Sequence, residues 1–155
     1  MKTFNVIILP FFACLASAQN AESCRGIVKE PAAQKLCLES KVNAQLTQAC
    51  IGAAKVIRSL QICLEAAQIK NLSVADIQSC GKNTRTGGEF SACLNSELPT
   101  EKTEACSEAT AKFGVGTYIA CLQIAKSNDI SVAGIKGCGN IDQAYTKFVS
   151  CLSNQ

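Results

Sequence analysis

Apolar residues recur at helical spacing along the middle of the chain. From Leu46 to Ala67 they follow one another in steps of three or four, and the polar residues outside this stripe include Lys55, Arg58, Ser59, Gln61, Glu65 and Gln68. This is the stripe of an amphipathic helix, so the pattern predicts one continuous helix over residues 44–70. We therefore expect an all-α fold.

Cap signals predict further, shorter helices. Ser73 followed by Asp76 resembles a capping box, which predicts a helix over residues 74–80. Residues 131–138 show a related pattern and predict a helix over 132–138. Gly81 and Gly139 each follow a cysteine, and we expect them to end these two helices.

The cysteines repeat with a fixed spacing. Five units each contain a small residue, a cysteine, a gap of twelve residues (fourteen in one unit) and then Cys-Leu. The first cysteines of the units are Cys24, Cys50, Cys80, Cys106 and Cys138, and the second are Cys37, Cys63, Cys93, Cys121 and Cys151. An even number of cysteines at regular spacing predicts a complete disulfide framework.

The cysteine units are themselves part of a longer repeat. Residues 57–97 and 115–155 align without a gap at an offset of 58 and share twelve identities in forty-one positions. The chain therefore contains two and a half copies of a double unit. The predicted architecture is a disulfide-stapled array of short antiparallel helical hairpins, built from five Cys-x12-Cys-Leu units.

Helix geometry restricts the pairing of the cysteines. Residues thirteen apart in one helix are separated by about 20 Å, whereas the Cα atoms of a disulfide lie about 5–6 Å apart. A continuous helix over 44–70 would thus keep Cys50 from Cys63. Turn signals lie between each second cysteine and the next first one, so we expect bridges across those turns. The predicted pairs are Cys37–Cys50, Cys63–Cys80, Cys93–Cys106, Cys121–Cys138 and, joining the ends, Cys24–Cys151.

A rival scheme pairs the cysteines inside a unit. Pro31, the stretch 81–88, and Gly139 with Asn140 could each break a helix between two such cysteines. The rival bridges are Cys24–Cys37, Cys80–Cys93 and Cys138–Cys151.

The amino terminus resembles a signal peptide. Lys2 precedes an apolar run that ends in Ala16-Ser17-Ala18, the small-x-small pattern of signal peptidase. We expect residues 1–18 to be removed and residues 19–155 to form a single disulfide-rich domain without a membrane span. The expected location is extracellular, or periplasmic in a bacterium, where disulfides persist. Removal of Cys14 leaves an even count, and a lipid anchor on Cys14 is the alternative.

Composition and charge argue against several classes of function. The formal charge of +3 falls to +2 when Lys2 is removed, and there is no Trp, so a nucleic-acid partner is not expected. The chain has no His, and no two of the repeat cysteines lie closer than thirteen residues. Neither a catalytic base, nor a zinc site, nor a Cys-x-x-Cys redox motif is indicated. We expect no enzymatic activity, no cofactor and no metal.

Two classes of function remain. The first is a binding protein that meets an unknown protein partner, and its candidate contact is the basic, glycine-rich loop with Lys82, Arg85, Gly87 and Gly88, where one repeat departs from the other. The second is a carrier of a small apolar ligand. Its candidate cavity residues are Ile57, Leu60, Phe90, Phe113, Ile119 and Phe148.

One modification signal is present. Asn71-Leu72-Ser73 is an acceptor triplet for N-glycosylation and lies in a predicted turn. The sequence leaves the oligomeric state open.

Overall fold

A computed structural model describes residue 24, residues 30–140 and residues 144–155 of the chain. The predicted signal peptide, its cleavage site and Cys14 lie outside these residues. The described ranges contain nine α-helices and no strand. The helices are α1 (Pro31–Glu39), α2 (Ala44–Ala53), α3 (Ile57–Ile69), α4 (Val74–Asn83), α5 (Gly87–Ser96), α6 (Thr100–Thr110), α7 (Val115–Ser127), α8 (Val132–Gly139) and α9 (Tyr145–Ser153).

The helices form two stacked layers. The even-numbered helices pack in the order α2, α4, α6, α8, and the odd-numbered helices pack in the order α1, α3, α5, α7, α9. Each even helix also packs against the odd helix that follows it in the chain. The fold is therefore an all-α array of antiparallel hairpins, as the sequence predicted, and each hairpin is one Cys-x12-Cys-Leu unit.

Each disulfide joins the two cysteines of one unit. The bridges are Cys24–Cys37, Cys50–Cys63, Cys80–Cys93, Cys106–Cys121 and Cys138–Cys151, with Cα–Cα distances of 5.6 to 5.7 Å. The prediction that the bridges join each second cysteine to the next first one was wrong. Cys37–Cys50, Cys63–Cys80, Cys93–Cys106, Cys121–Cys138 and Cys24–Cys151 are not the pairs of this structure. The three bridges of the rival scheme are confirmed.

The error began with the helix predicted over residues 44–70. This segment is two helices, α2 and α3, separated by a turn in which Ala54 and Val56 are extended. The turn folds α3 back along α2, so that Cys50 and Cys63 meet at a Cα–Cα distance of 5.6 Å. Ala54 favours helix and Lys55 is neutral, so the stretch contains no strong helix breaker, and the apolar stripe continues across it.

The cap signals were partly right. Ser73 and Asp76 form a capping box at the start of α4, and Ser131 Oγ accepts the Gly134 amide at the start of α8. Thr86 and Glu89 form a second capping box at α5. The prediction that Gly81 ends a helix was wrong, because α4 continues to Asn83, whereas Gly139 is indeed the last residue of α8.

The core lies between the two layers. The leucines that follow the second cysteines of units two to five are buried: Leu64, Leu94, Leu122 and Leu152. Three positions before the same cysteines lie Leu60, Phe90, Tyr118 and Phe148, which are also buried. The Cys-Leu motif thus lies on the inward face of α3, α5, α7 and α9. Leu38, the leucine of the first unit, is 45% exposed.

Two glycines set the distance between neighbouring even helices. A Cβ atom added to Gly81 in α4 would lie 2.6 Å from the Ala53 Cβ atom of α2, and one added to Gly139 in α8 would lie 2.7 Å from the Ala109 Cβ atom of α6. These contacts are closer than side chains tolerate, so both sites require glycine for packing. The recurring Cys-Gly at offset 58 is therefore a close-packing motif within each double unit.

We expect Gly81→Ala to destabilise the protein by about 1–3 kcal/mol, because the new methyl group meets backbone and Cβ atoms of Ala53 that cannot move aside. Gly52→Ala is the matched control, since a Cβ atom there would have no neighbour within 4 Å. The control should leave stability unchanged or raise it by up to about 1 kcal/mol. Chemical unfolding followed by circular dichroism measures both. Equal free energies of unfolding for the two variants would contradict the close packing.

Candidate functional site

A broad groove lies between α2 and α4. Its volume is about 850 Å³. The lining residues are Gln45, Gln48, Ala49, Gly52, Ala53, Val74, Gln78, Gly81 and Lys82. The groove is open to solvent on the outer surface of the even-helix layer.

The floor and the rim of the groove differ in chemistry. Ala49, Ala53 and Gly81 form a floor of small residues, because here the two helices approach most closely. The rim bears the exposed glutamines Gln45, Gln48 and Gln78. Each carboxamide offers two N–H donors and one carbonyl acceptor. The groove can therefore form many hydrogen bonds with a ligand, while its backbone floor admits close approach.

The second double unit repeats the floor of this groove but not its rim. Counted from Cys50 and Cys106, Ala49 and Ala53 in α2 correspond to Ala105 and Ala109 in α6. Val74 and Gly81 in α4 likewise correspond to Val132 and Gly139 in α8. The rim residues are replaced instead: Gln45, Gln48 and Gly52 by Glu101, Glu104 and Glu108, Gln78 by Lys136, and Lys82 by Asn140.

An ion pair crosses the second copy of the groove. Lys136 Nζ of α8 lies 2.8 Å from Glu108 Oε2 of α6. At the corresponding places the first copy has Gln78 and Gly52, and Gly52 has no side chain to reach across. A Cβ atom on Gly52 would meet nothing within 4 Å. The same scaffold is thus bridged in one copy and open in the other.

Sequence reasoning missed this groove, although the signal was available. The internal alignment began at residue 57, so α2 was never compared with α6. An alignment on Cys50 and Cys106 places Gln45, Gln48 and Gly52 against three glutamates and reveals the substitution.

The four residues of the predicted partner loop have different roles in the structure. Lys82 lies on the groove rim and Gly88 is exposed. Arg85 contacts its own chain, with one guanidinium nitrogen 3.1 Å from the Ala111 carbonyl and another 3.3 Å from Glu89 Oε1. Gly87 packs inward, since a Cβ atom there would lie 2.8 Å from Ser59 Oγ. Gly87 and the exposed Arg85 therefore join neighbouring hairpins, whereas Lys82 and Gly88 are exposed and take no part in these contacts.

Five of the six residues predicted to line an apolar cavity lie in or against the core. Leu60, Phe90 and Phe148 are buried, and Ile57 and Phe113 pack on the same cluster. The Phe113 and Phe148 rings are 5.6 Å apart between centroids. Ile119 is half-buried. None of the six lines the groove, nor the second cavity described next.

A second cavity of about 540 Å³ lies between the linker that follows α3 and the linker that follows α5. Its wall includes Leu72, Leu94 and Leu98 together with the Cys80–Cys93 disulfide. Asn71, the predicted glycosylation acceptor, is exposed and also lines this cavity.

Asp76 holds two hairpins together beside this cavity. Its carboxylate accepts hydrogen bonds from the Ser73 hydroxyl at 2.7 Å and from the Ser73 amide at 2.9 Å, and the Thr100 hydroxyl of α6 donates to it at 3.3 Å. These donors hold the pKa of Asp76 below its usual range, the Ser73 hydroxyl most strongly.

A polar row is sealed inside the odd-helix layer. Glu89 is buried, and its carboxylate accepts from the amides of Arg85 and Thr86. Burial, with a smaller contribution from the negative charge of Glu89, raises the pKa of the Tyr118 hydroxyl. The hydroxyls of Tyr118 and Ser59 are buried without a hydrogen-bond partner among the described residues. Because solvent does not reach these groups, they serve the packing of the hairpins.

The described residues bring no group of three His, Cys, Asp or Glu side chains into an arrangement that could bind a metal ion. No helix within the described ranges has the length and hydropathy required to cross a membrane. Comparisons with protein-family models, with curated proteins and with solved structures find no match.

We expect Asp76→Ala to destabilise the protein near neutral pH and to have less effect in acid. A carboxylate whose pKa is lowered on folding stabilises the native state above its ordinary pKa, and this contribution is lost as the pH falls through the folded-state value. The difference from wild type should therefore shrink below about pH 4. Urea unfolding at a series of pH values measures it, with Glu101→Ala, an exposed carboxylate in the first turn of α6, as the control. A difference that stays constant with pH would contradict this role.

The ion pair of the second copy should be transferable to the first. We expect Gly52→Glu and Gln78→Lys together to be more stable than the sum of the single variants by about 0.2–1 kcal/mol, the usual value for an exposed pair. The coupling between Glu108 and Lys136 in the natural copy is the control, and both couplings should weaken in high salt. A double-mutant cycle by chemical unfolding measures them. A coupling in the natural copy but none in the transferred pair would show that the two grooves differ in geometry.

Proposed function

We propose that the protein is a secreted binding protein without catalytic activity, and that its ligand occupies the groove between α2 and α4. The observation that carries this proposal is the difference between the two copies. The floor is retained in both, but in one copy the rim is crossed by Lys136 and Glu108, and in the other it is open and bears glutamines.

The location of the groove supports the proposal. The rim side chains point away from the core and are exposed, so they contribute little to the packing of the hairpins. The disulfides Cys50–Cys63 and Cys80–Cys93 hold both hairpins that form the groove. A preformed, covalently braced groove loses little conformational entropy when a ligand binds. Five disulfides are also typical of proteins exported to an oxidising compartment.

The groove-closed variant Gly52→Glu/Gln78→Lys tests this function. The wild-type protein, purified from the natural source in its oxidised form, should retain a ligand in native mass spectrometry. After removal and readdition of that ligand, its affinity for the groove-closed variant should fall at least tenfold, because the transferred ion pair occupies the same space.

The matched control carries the same residue types away from the groove. Gly137→Glu with Gln123→Lys alters an exposed glycine of α8 and an exposed glutamine of α7, and a Cβ atom on Gly137 would meet nothing within 4 Å. This control should bind the ligand as the wild type does. A protein without ligand, equal binding by the groove-closed variant, or turnover of the ligand by the wild type would each contradict the proposal.

A carrier of a small apolar molecule is the second candidate. The second cavity supports it, because Leu72, Leu94 and Leu98 contribute apolar surface there. An apolar ligand in the native mass spectrum that is displaced by Leu94→Trp but not by closing the α2–α4 groove would favour the carrier.

A further inference from the structure

We infer that the groove between α2 and α4 recognises an extended polypeptide segment that carries a carboxylate, and that Lys82 binds this carboxylate. The inference rests on the proposed function and adds the chemical class of the ligand. It depends on the charge of the rim, on the second copy of the groove, and on the carboxamide groups and length of the groove.

The charge of the rim favours an anionic ligand. Lys82 is the one ionised side chain among the nine residues that line the groove. It is exposed, and it forms no ion pair with any residue of the described ranges. The nearby Lys55 is already engaged, since its ammonium group donates to the Thr84 carbonyl. A ligand carboxylate would therefore meet one positive charge and no competing acid on the groove lining.

The second copy shows a carboxylate held across this scaffold. There Glu108 supplies it from within the chain, and Lys136 of the facing helix binds it at 2.8 Å. In the first copy Gly52 replaces Glu108, and the lysine is found at position 82 instead of position 78. The first copy thus has no carboxylate at this position, but it has a lysine on α4, four residues from the position that corresponds to Lys136. A carboxylate from a bound ligand would restore the pair.

The glutamines favour a peptide over a simple acid. A peptide group presents one N–H donor and one carbonyl acceptor, which a carboxamide can satisfy together. Residues 45 and 52 are about 10 Å apart along the α2 axis, at 1.5 Å per residue, and about three residues of extended chain span this length. The small side chains of Ala49, Ala53 and Gly81 leave room for a backbone to approach the floor. The lining contains no aromatic residue on which a sugar ring or a base could stack.

Defined peptides test the inference with the full oxidised mature protein. The probes are nonapeptides of Ser, Thr and Gly, labelled with an uncharged fluorophore, with an amidated carboxyl terminus and Glu, Gln or Lys at the central position. A fourth probe has Gln at the centre and a free terminal carboxylate, which separates a side-chain acid from a chain end. Fluorescence anisotropy should show that the two carboxylate-bearing peptides bind at least threefold more tightly than the amidated Gln peptide, and that the Lys peptide binds most weakly.

Variants of Lys82 supply the decisive comparison. Lys82→Gln should remove the preference for Glu over Gln while leaving the affinity for the amidated Gln peptide within twofold. Lys82→Glu should reverse the preference, so that the Lys peptide binds best. Lys112→Gln is the control, because Lys112 is an exposed lysine outside the groove and should leave the preference unchanged. Raising the salt concentration should weaken binding of the Glu peptide more than that of the Gln peptide.

Other outcomes overturn the inference. If the Lys82 variants keep the preference for Glu, another group binds the carboxylate. If citrate binds as tightly as the Glu peptide, or if all the peptides fail to bind at millimolar concentration, the peptide backbone is not recognised. If an acidic oligosaccharide such as tetragalacturonate binds instead and is lost from the groove-closed variant, the ligand class is wrong but the groove remains the binding site. Peptide binding that the groove-closed variant retains would reject both the inference and the proposed function.

Discussion

The disulfide inside each hairpin is the constraint on which the rest of the array depends. The chain has no Trp, six Phe and two Tyr, so its core consists mainly of small and aliphatic side chains that each bury little area. A bridge that closes a loop of about fifteen residues stabilises the folded state by about 3 kcal/mol. Such a bridge in every hairpin compensates for the modest core. It also fixes the two helices of a hairpin against each other.

This rigidity permits the close contacts within each double unit. Gly81 packs against Ala53, and Gly139 packs against Ala109, at distances that leave no room for a Cβ atom. The junction between the two double units is different, because α4 and α6 meet through polar contacts. Ser107 Oγ donates to the Asn83 carbonyl at 2.7 Å, and the Ser79 hydroxyl donates to Glu104 at 3.3 Å. The double period of the sequence thus reflects two kinds of helix contact that alternate along the array.

The sequence predicted the class of fold and the repeat, but not the position of the hairpin turns. The cysteine spacing and the Cys-Leu motif are local patterns, and each has a direct structural counterpart in the stapled hairpin. The turn after Ala53 has no such signal, because Ala54 and Lys55 are compatible with helix and the apolar stripe runs on. Comparison of the units could have located it. Thr86 and Glu89 form a capping box at the corresponding turn of the next unit, and the same register places a helix start at Ile57.

The candidate site was harder to predict from the sequence than the fold, because the groove is formed by two helices that are not adjacent in the chain. The loop that looked unusual in the sequence contains Arg85 and Gly87, whose roles are structural, together with Lys82, which lies on the rim. The basic, glycine-rich composition of the loop alone does not show which of its residues are structural and which lie on the rim. The distinction required the neighbouring hairpins, since Arg85 donates not only to Glu89 but also to the Ala111 and Phe113 carbonyls, which lie 26 and 28 residues further along the chain.

The internal repeat explains how the rim can differ between the two copies without loss of stability. The residues that set the spacing of the helices, Ala53 with Gly81 and Ala109 with Gly139, are the same in both copies. The rim residues differ at every position but lie outside the core, where substitutions usually change stability by less than about 0.5 kcal/mol. A surface ion pair such as Lys136 with Glu108 contributes no more than about 1 kcal/mol, so its absence from the first copy costs the fold little. The rim can therefore change while the disulfides and the glycine contacts preserve the array.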